Sequence, residues 1–456
     1  MLARLLEAMT FDVDAVRAAF PILGRRIATP DGERPLVYFD HGASTHAPKP
    51  VLDAVQDLMT RNYANIHRGH HTLSQESSDL FDATFDTFAD FIGAPREKGT
   101  IVLSHNTTAA LDLAAHILRD VPGHTLTTRM EHHSNDLPHR RAGAVVHAEV
   151  DDAGRVDLDD MQRLLDQGGV KLVAVSGASN VTGHTPPIHR IARMAHDAGA
   201  RILVDAAQLY AHVPIDVKAE GHPEHIDLLA AAGHKAYAPF GSAFLYGPRD
   251  LFDAAPPHTP GGGTVDWVTD DGALHNRSPD RHMGGTPNVA GAVAFAAATR
   301  FLAGIGMDAV RDHEVALMRH GLRRFAELEE EHGVRLLGPR DPAEKVGVFT
   351  FLVPGHRHEE VAARLDRDHG IATRDGCFCA HPLLQRLLGI DDVAAFTRRI
   401  SRGEDVPLPG ATRAALGIYN TEAEVDLLAE ALAGIASSEP APLVPKDAVG
   451  ARVEVS

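Results

Sequence analysis

The chain has 456 residues, of which 44% are hydrophobic and 23% are charged, a composition typical of a folded protein with a sizeable core. Its formal net charge of −18 argues against a nucleic-acid partner, since such binding depends on Lys and Arg that neutralise phosphates. No apolar run is long enough to span a bilayer, and the first twenty residues do not resemble a signal peptide, so no membrane partner is expected. The only two cysteines, Cys377 and Cys379, cannot build a disulfide framework, which indicates a cytoplasmic location.

Short apolar runs alternate with longer helical patterns through the first 250 residues. Strands are predicted at 101–103, 171–175, 201–205, 226–231 and 241–246, and helices at 107–118 and 186–198. Strands separated by helices of this length predict βαβ units and a mostly parallel sheet. Ligands of such sheets bind beyond the carboxyl ends of the strands.

The second half of the chain has a different pattern. Residues 256–288 are rich in Gly, Pro and Asp and are predicted to form a long functional loop. Helices are predicted at 290–302 and 307–328, strands at 346–353 and near 373, and a last helix that starts at the capping-box pair Thr421 and Glu424. The predicted division is an N-terminal segment (1–30) that packs with the small domain, a large domain (31–300), a small C-terminal domain (301–436) and a flexible tail (437–456).

Lys235 is the first candidate for chemistry, because it directly follows the predicted strand 226–231 in the sequence Gly233-His234-Lys235. A lysine that is buried at the end of a strand can have a lowered pKa, and its amine can then attack an aldehyde. Most lysines are solvated surface charges, so the neighbouring residues decide the interpretation.

Asp205 ends the very apolar strand 201–205. A carboxylate there needs a cation, and the protonated pyridine nitrogen of pyridoxal 5'-phosphate (PLP) is such a cation. A helix N-cap or an otherwise satisfied strand end is the alternative. Gln208 lies three residues further on and could hydrogen-bond the ring hydroxyl of the same cofactor.

Two further segments could complete a cofactor site. The backbone N–H groups that follow Ser104-His105-Asn106, with the hydroxyls of Thr107 and Thr108, suit a phosphate at a helix start, although an ordinary threonine cap is the alternative. In Glu131-His132-His133-Ser134-Asn135, His132 could stack on the pyridine ring. Paired histidines can also bind metal, but no Glu-x-x-His or cysteine partner occurs at ligand spacing, so no metal site is predicted.

These segments resemble the class V aminotransferase superfamily, in its cysteine desulfurase and selenocysteine lyase branch (group II type), from about Phe39 to Leu432. The matching motifs occur in the family's order: Tyr38-Phe39-Asp40, Asn65-Ile66-His67-Arg68-Gly69, Thr107-Thr108, Met130 to Asn135, Ser179-Asn180-Val181-Thr182-Gly183, Val204-Asp205-Ala206-Ala207-Gln208, Gly233-His234-Lys235, Gly284-Gly285-Thr286-Pro287-Asn288, Arg374 to Ala380, and Arg413 to Thr421. The resemblance implies an α/β protein of PLP-dependent fold type I, with a mostly parallel sheet in the large domain and a smaller α+β C-terminal domain.

The resemblance also implies how PLP is bound. Lys235 is expected to hold it as a Schiff base, Asp205 to pair with the pyridine nitrogen, and His132 to stack on the ring and take part in catalysis. The remaining expected contacts, to the ring oxygen, the substrate side or the phosphate, come from Asn180, Gln208, Thr107, Thr108, His234 and Thr286. Of these, Thr286 is expected to reach the active site of the partner subunit in a homodimer.

The substrate implied by the resemblance is a small amino acid, L-cysteine. Arg413 is expected to clamp its carboxylate, where a bidentate guanidinium suits a planar anion, and Arg374 and His67 to line the same pocket. Lys235 takes the Cα proton, and Cys379 attacks the substrate sulfur and keeps it as a persulfide, so that alanine leaves. A sulfur-acceptor protein is a possible further partner. The thiolate is the reactive form, which needs positive charge nearby.

Several features depart from the family pattern. Ala232 replaces a serine of the family, Asp40-His41-Gly42-Ala43 is altered, and Cys379 and Arg413 lie further apart than the family norm. The extra residues, roughly 385–409, could form a lid, dock a partner or reshape the pocket. The Gly-Cys-Phe-Cys sequence also resembles the molybdenum-cofactor sulfurase relatives; for Cys377 simple packing is favoured over a disulfide or a sulfur shuttle.

Two other functions are compatible with these residues. One is a different PLP-dependent lyase, epimerase or aminotransferase that acts on a larger amino acid, which the insertion favours. The other is a non-enzymatic scaffold for a sulfur carrier, which the retention of Lys235, Asp205 and Arg413 disfavours.

Overall fold

The computed structural model describes residues 11–390, 392–404, 406 and 408–440. Its helices are α1 (Val13–Ala18), α2 (Lys49–Asp57), α3 (Thr72–Phe91), α4 (Thr107–Ile117), α5 (Leu137–Ala142), α6 (Leu158–Asp166), α7 (Ile188–Asp197), α8 (Arg249–Ala254), α9 (Val289–Ile305), α10 (Met307–His332), α11 (His358–His369), α12 (His381–Leu387), α13 (Val393–Ser401) and α14 (Glu422–Ala436). Its strands are β1 (Arg26–Thr29), β2 (Gly32–Pro35), β3 (Val37–Tyr38), β4 (Gly99–Ser104), β5 (His124–Thr128), β6 (Val145–Ala148), β7 (Val170–Ser176), β8 (Arg201–Asp205), β9 (Leu228–Ala232), β10 (Ala243–Pro248), β11 (Val265–Thr269), β12 (Gly272–His275), β13 (Arg335–Leu337), β14 (Val348–Leu352), β15 (Ile371–Ala372), β16 (Arg374–Gly376) and β17 (Ala411–Ala415).

The larger sheet has seven strands in the order β4-β10-β9-β8-β7-β5-β6. Neighbouring strands run parallel from β9 to β6, and only β10 is antiparallel to its neighbours β4 and β9. Every residue of β7 is buried, as expected for a strand covered by helices on both faces of a parallel sheet. The predicted α/β fold with a mostly parallel sheet is therefore confirmed, and the carboxyl ends of β7, β8 and β9 lie side by side.

The smaller sheet has four antiparallel strands in the order β13-β14-β17-β16. It has a hydrophobic core of its own, in which aromatic side chains of β14 pack against Phe325 of α10 and Leu428 of α14. This unit is the predicted smaller α+β part. The capping box that starts α14 is present, since Thr421 Oγ1 accepts from the Glu424 N–H and the Glu424 carboxylate accepts from the Thr421 N–H.

The N-terminal segment contacts elements of the smaller unit. Arg17 Nη1 donates to the carbonyl of Tyr419 at 2.6 Å and to Glu424 Oε1 at 2.9 Å, and Phe11 stacks on His313 of α10 with 4.2 Å between ring centroids. The exact domain boundaries stay a prediction. Residues 1–10 and most of the predicted tail, 441–456, lie outside the described residues.

The prediction of one long loop over 256–288 was wrong in part. The segment contains the antiparallel hairpin β11-β12. Four of the five residues of β11 are exposed, including Trp267, so the hairpin has no alternation of apolar and polar residues that the sequence could reveal.

No single helix in the described part of the chain is long and apolar enough to cross a membrane. The helices α9 and α10 meet the criteria of length and composition only as a pair, and that pair is bent by 76°.

Candidate active site

A cavity of about 870 Å³ opens at the carboxyl ends of β7, β8 and β9. It brings together every predicted site residue except His67 and Thr286. The predicted residues that line it are Thr107, Thr108, His132, Asn180, Asp205, Gln208, His234, Lys235, Arg374, Cys379 and Arg413. They come from both sheets, so the cavity lies where the larger and the smaller unit meet.

Lys235 and Asp205 face this cavity from neighbouring strands. Asp205 is the last residue of β8, and Lys235 ends a short turn of 3-10 helix that directly follows β9. Burial, together with the positive charge of Arg413, lowers the pKa of Lys235 to about 8. Burial also raises the pKa of Asp205, whose Oδ1 accepts one hydrogen bond, from the Ala207 N–H at 2.9 Å. The pair offers an amine that loses its proton easily and a carboxylate that a cation would stabilise.

The start of α4 forms the anion-binding end of the cavity. Asn106 caps this helix through its side chain, which accepts from the Ala109 N–H at 2.9 Å. The buried hydroxyl of Thr107 has no partner among the described residues, and the Thr108 hydroxyl lies 2.7 Å from that of Ser134. Free backbone N–H groups and the helix dipole favour an anion such as phosphate at this point.

His132 is a neutral imidazole in this environment. Burial, followed by the charge of Lys235, lowers its pKa to about 4. Its Nδ1 accepts from the Ser134 N–H at 3.1 Å, so its proton is on Nε2. The buried carboxylate of Glu131, whose pKa burial raises to about 7, fixes this loop by accepting hydrogen bonds from Thr128, Asn135 and Ser176. Glu131 is not among the predicted site residues.

Two arginines share one carboxylate on the opposite wall. Arg413 of β17 and Arg374 of β16 lie directly across from each other in the smaller sheet. Asp40 accepts from Arg374 Nε at 3.2 Å and Nη2 at 2.5 Å, and from the buried Arg413 Nη2 at 3.4 Å. Arg413 also donates to the Asn180 carbonyl at 2.8 Å and lies over the Phe378 ring at 4.9 Å. Burial lowers the pKa of Arg413 to about 10, so it remains a cation at neutral pH.

Cys379 is exposed and lies at the mouth of the cavity. Its carbonyl accepts from the His133 N–H at 2.8 Å. Phe378 and Cys379 have φ values of 54° and 55°, and two successive non-glycine residues in this left-handed region are uncommon and are often found at functional sites. Cys377 is also a free thiol; it is partly buried, packs against the larger core and lines the same cavity, and its packing role stays a prediction.

The insertion contributes part of the cavity wall. Residues from α12, α13 and the segment after α13 line it, namely Gln385, Phe396, Thr397, Ile400, Leu408 and Pro409. Most of these side chains are apolar. The extra residues between Cys379 and Arg413 therefore lie against the site.

Two predicted site residues do not line the cavity of this chain. His67 is exposed, and its Nε2 lies 2.9 Å from Asp82 Oδ1. Thr286 is exposed as well, in a separate cavity of about 420 Å³ that it shares with His105 and Asn288. Their predicted roles stay predictions.

The donors and acceptors of the cavity fit PLP. Thr107 Oγ1, Gln208 Oε1 and Arg413 Nε are buried and have no hydrogen-bond partner among the described residues, which suits the polar groups of a cofactor and a substrate. The helix start suits its phosphate, Asp205 its pyridine nitrogen and Lys235 its aldehyde. The fold and the site define a PLP-dependent enzyme of fold type I.

Comparison with known proteins gives the family. The model of the family "Aminotransferase class-V" matches residues 37–428. The chain is 34% identical to the cysteine desulfurase of Haloferax volcanii over 94% of this chain and 98% of that protein. It is also 34% identical to a probable cysteine desulfurase of Mycolicibacterium paratuberculosis, over 94% of this chain and 59% of that longer protein. A solved structure of the cysteine desulfurase of Thermococcus onnurineus NA1 superimposes with a TM-score of 0.81 at 33% identity, covering 93% of this chain and 98% of that one. The chain belongs to the class-V aminotransferase family, in its cysteine desulfurase branch.

Proposed function

We propose that this enzyme is a cysteine desulfurase, which converts L-cysteine to L-alanine and keeps the sulfur on Cys379 as a persulfide. The observation that carries the proposal is that one cavity is lined by an amine of lowered pKa, a buried guanidinium and an exposed thiol, on Lys235, Arg413 and Cys379. The similarity to cysteine desulfurases over most of the chain supports it.

PLP supplies an electron sink that stabilises negative charge at the substrate Cα when it is bound. Lys235 would hold its aldehyde carbon, Asp205 its ring nitrogen, and the start of α4 with Thr107, Thr108 and His234 its phosphate. Burial lowers the pKa of His234 to about 4, so this ring acts as a neutral hydrogen-bonding group. The neutral His132 is suited to stack on the pyridine ring without adding a positive charge. Gln208 and Asn180 are suited to its ring oxygen or to the substrate.

Arg413 orients the substrate through its carboxylate. Its Nη1 and Nη2 are positioned by the Asn180 carbonyl and by Asp40, which leaves Nε as a buried donor. Arg374 adds positive charge on the same wall and is itself held by Asp40. A substrate carboxylate bound to a fixed guanidinium has few orientations, so the Cα–H can be directed at Lys235.

Lys235 moves the proton at Cα. A pKa of about 8 gives the amine a substantial neutral fraction near neutral pH, which a base requires, whereas an ordinary lysine would be almost fully protonated. The amine of Lys235 is therefore tuned for proton transfer by its burial and by Arg413.

Cys379 accepts the sulfur. Its thiolate attacks the substrate sulfur, a new S–S bond forms, and the Cβ–S bond breaks with its electron pair left on Cβ. Cβ then takes a proton, so that cysteine and the thiol become alanine and an enzyme persulfide without any external oxidant or reductant. The exposure of Cys379 suits later transfer of this sulfur to an acceptor.

The test is the pair Cys379→Ser and Cys377→Ser. We expect Cys379→Ser to form no alanine or sulfide from L-cysteine while the absorbance of bound PLP stays unchanged, and Cys377→Ser to retain activity. Full alanine formation by Cys379→Ser would contradict the assignment of the nucleophile.

A second function in the same family is supported by the insertion. Phe396, Ile400 and Leu408 add apolar surface to the cavity wall, which favours a larger amino acid as the substrate of a lyase, epimerase or aminotransferase. A panel of amino acids, each mixed with the PLP-bound enzyme and followed by absorbance, separates the two functions. The desulfurase proposal expects the largest and fastest change with L-cysteine.

The assembly is a further part of the proposal. We propose a homodimer in which Thr286 reaches the active site of the partner subunit, supported by the exposure of Thr286 and by its absence from the cavity of its own chain. His67 is proposed to complete the substrate pocket in the same assembly. A sulfur-acceptor protein is proposed to approach Cys379, and the two free cysteines support a cytoplasmic location. Thr286→Asp should lower PLP affinity if the dimer is as proposed, and unchanged affinity would contradict it.

A further inference from the structure

A second cluster of titratable side chains lies far along the sheet from the cavity. His196 belongs to the last turn of α7, and His225 and Asp227 directly precede β9, at the amino end of the strand whose carboxyl end leads to Lys235. His196 Nε2 is 2.9 Å from Asp227 Oδ2, and His225 Nε2 is 3.1 Å from Asp227 Oδ1. One ligand atom from each of the three residues lies within 4.8 Å of the other two.

The hydrogen-bond partners fix the protons on both imidazole rings. His196 Nδ1 is 2.9 Å from the Pro223 carbonyl, and His225 Nδ1 is 2.7 Å from the His222 carbonyl. A carbonyl oxygen only accepts, so each Nδ1 carries a proton. In a neutral ring with its proton on Nδ1, Nε2 carries a lone pair and no proton. Both Nε2 atoms would then point a lone pair at the carboxylate oxygens of Asp227, which have no proton to donate, and the contacts would be repulsive.

Two arrangements resolve this conflict for both rings at once. In the first, both rings are imidazolium ions, but the rings are stacked with 4.2 Å between centroids at 20°, so two like charges would lie face to face and share one carboxylate. In the second, a cation lies between the three residues and accepts the lone pairs of both rings and of Asp227. The carboxylate of Glu224, in the same segment, is already paired with Lys218 and Arg193.

We propose that His196, His225 and Asp227 bind one divalent transition-metal ion of the zinc class. Two imidazoles and a carboxylate are a common ligand set for zinc, and an Nδ1–H that donates to a backbone carbonyl is the usual way in which such a histidine is oriented. Bonds of about 2.1 Å at a tetrahedral angle need roughly 3.4 Å between ligand atoms. The three ligand atoms lie within 4.8 Å of one another, so rotation of the side chains brings them to that spacing. All three side chains are partly exposed, which leaves an entry path and room for water ligands.

The metal has a structural role in this position. It joins the end of α7 and the segment before β9 to the amino ends of two central strands, since Asp227 Oδ2 also accepts from the Ile202 N–H of β8 at 2.8 Å. Metal that binds the folded but not the unfolded chain raises thermal stability. The site takes no part in the proposed desulfurase reaction, and neither inference depends on the other.

The test uses the PLP-bound enzyme without an affinity tag, after treatment with a chelator. Zinc is added by equilibrium dialysis, and bound zinc and Tm are measured for the wild type, His225→Gln, Asp227→Asn and the control His320→Gln. His320 also pairs with a carboxylate, Asp426 at 2.8 Å, but lacks a second histidine on it. We expect the wild type and His320→Gln to bind one more zinc ion per chain than the other two variants, and zinc to raise Tm only in the former pair.

Cobalt distinguishes this site from the cysteines of the cavity. In the wild type Co²⁺ should give a visible spectrum of nitrogen and oxygen ligands without a thiolate charge-transfer band, and Cys379→Ser should leave it unchanged. The proposal is overturned if all four proteins have equal zinc content, or if the wild type shows neither the Tm increase nor the cobalt spectrum. In that case the three residues form an imidazolium–carboxylate cluster without a metal. The wild-type measurements decide the matter even where a variant fails to fold.

Discussion

The substitution Arg413→Lys tests the assignment of the substrate carboxylate clamp. Arg413 is buried, and two of its nitrogens are engaged by the Asn180 carbonyl and by Asp40, which leaves Nε free among the described residues. Lysine retains the positive charge next to Asp40 but has no donor at the position of the Arg413 Nε. The substitution therefore removes a positioned hydrogen-bond donor and keeps the positive charge.

The expected magnitude follows from the hydrogen bonds lost. One hydrogen bond to a charged group contributes about 1.5–3 kcal/mol. At about 1.36 kcal/mol for each factor of ten, kcat/KM for L-cysteine should fall by roughly 10- to 150-fold, mainly through KM. Cysteamine, which lacks the carboxylate, should bind the two enzymes with similar affinity, so the preference of the wild type for cysteine should largely disappear in the variant.

The assay is steady-state alanine formation, with cysteine and cysteamine affinities read from the absorbance of bound PLP. Arg319→Lys, at an exposed position of α10, is the control for the chemical change itself and should match the wild type. Arg413 does not clamp the substrate carboxylate if Arg413→Lys folds, retains PLP and keeps kcat/KM within about threefold, or if its affinity for cysteamine falls as much as that for cysteine.

Two further substitutions test buried charges. Asp205→Asn keeps the shape of the strand end but removes the negative charge that would stabilise the protonated pyridine nitrogen of PLP. An opposite charge at close range shifts the pKa of such a group by about 1–3 units. We therefore expect kcat to fall by roughly 10- to 1000-fold in enzyme that still contains PLP. Lys345 is fully buried, and burial lowers its pKa from 10.5 to about 7, so between these values the unfolded chain binds more protons and the stability contribution of Lys345 rises with pH. Lys345→Met should therefore raise the free energy of unfolding by on the order of 2–4 kcal/mol at pH 7, with a gain that shrinks as the pH approaches 10.5.

Urea denaturation at pH 7 and at alkaline pH measures the effect at Lys345. A gain that is equal at both pH values would show that packing and not charge is responsible. For Asp205→Asn, unchanged kcat with full PLP occupancy would separate this carboxylate from the ring nitrogen.

The sequence predicted the parts of the site that are local in the chain. Asp205 and Lys235 each follow an apolar strand, and parallel strands bring their carboxyl ends to one edge, so their meeting could be inferred from strand pattern alone. Thr107 and Thr108 were recognisable for the same reason, because the start of a helix directly follows a strand. The resemblance to a family added the distant residues Arg413 and Cys379.

Other parts of the site have no local signal. Asp40 binds Arg374 and Arg413, more than three hundred positions away, and only the packing of the two units brings them together. Glu131 was not predicted as a site residue because a glutamate beside two histidines is typical of a polar, exposed loop. Its hydrogen bond with Ser176 at the end of β7 forms only in the tertiary structure. The pairing of His196 with His225 and Asp227 likewise depends on tertiary structure, since α7 and β9 are separated by β8.

Borohydride reduction followed by proteolysis and mass spectrometry determines whether Lys235 is the residue that carries PLP. We expect a single peptide that contains Lys235 and carries the added mass of the reduced cofactor, and no such peptide in Lys235→Ala. Cofactor mass on a different lysine, such as the buried Lys345, or no modified peptide in protein that has been saturated with PLP, would contradict it.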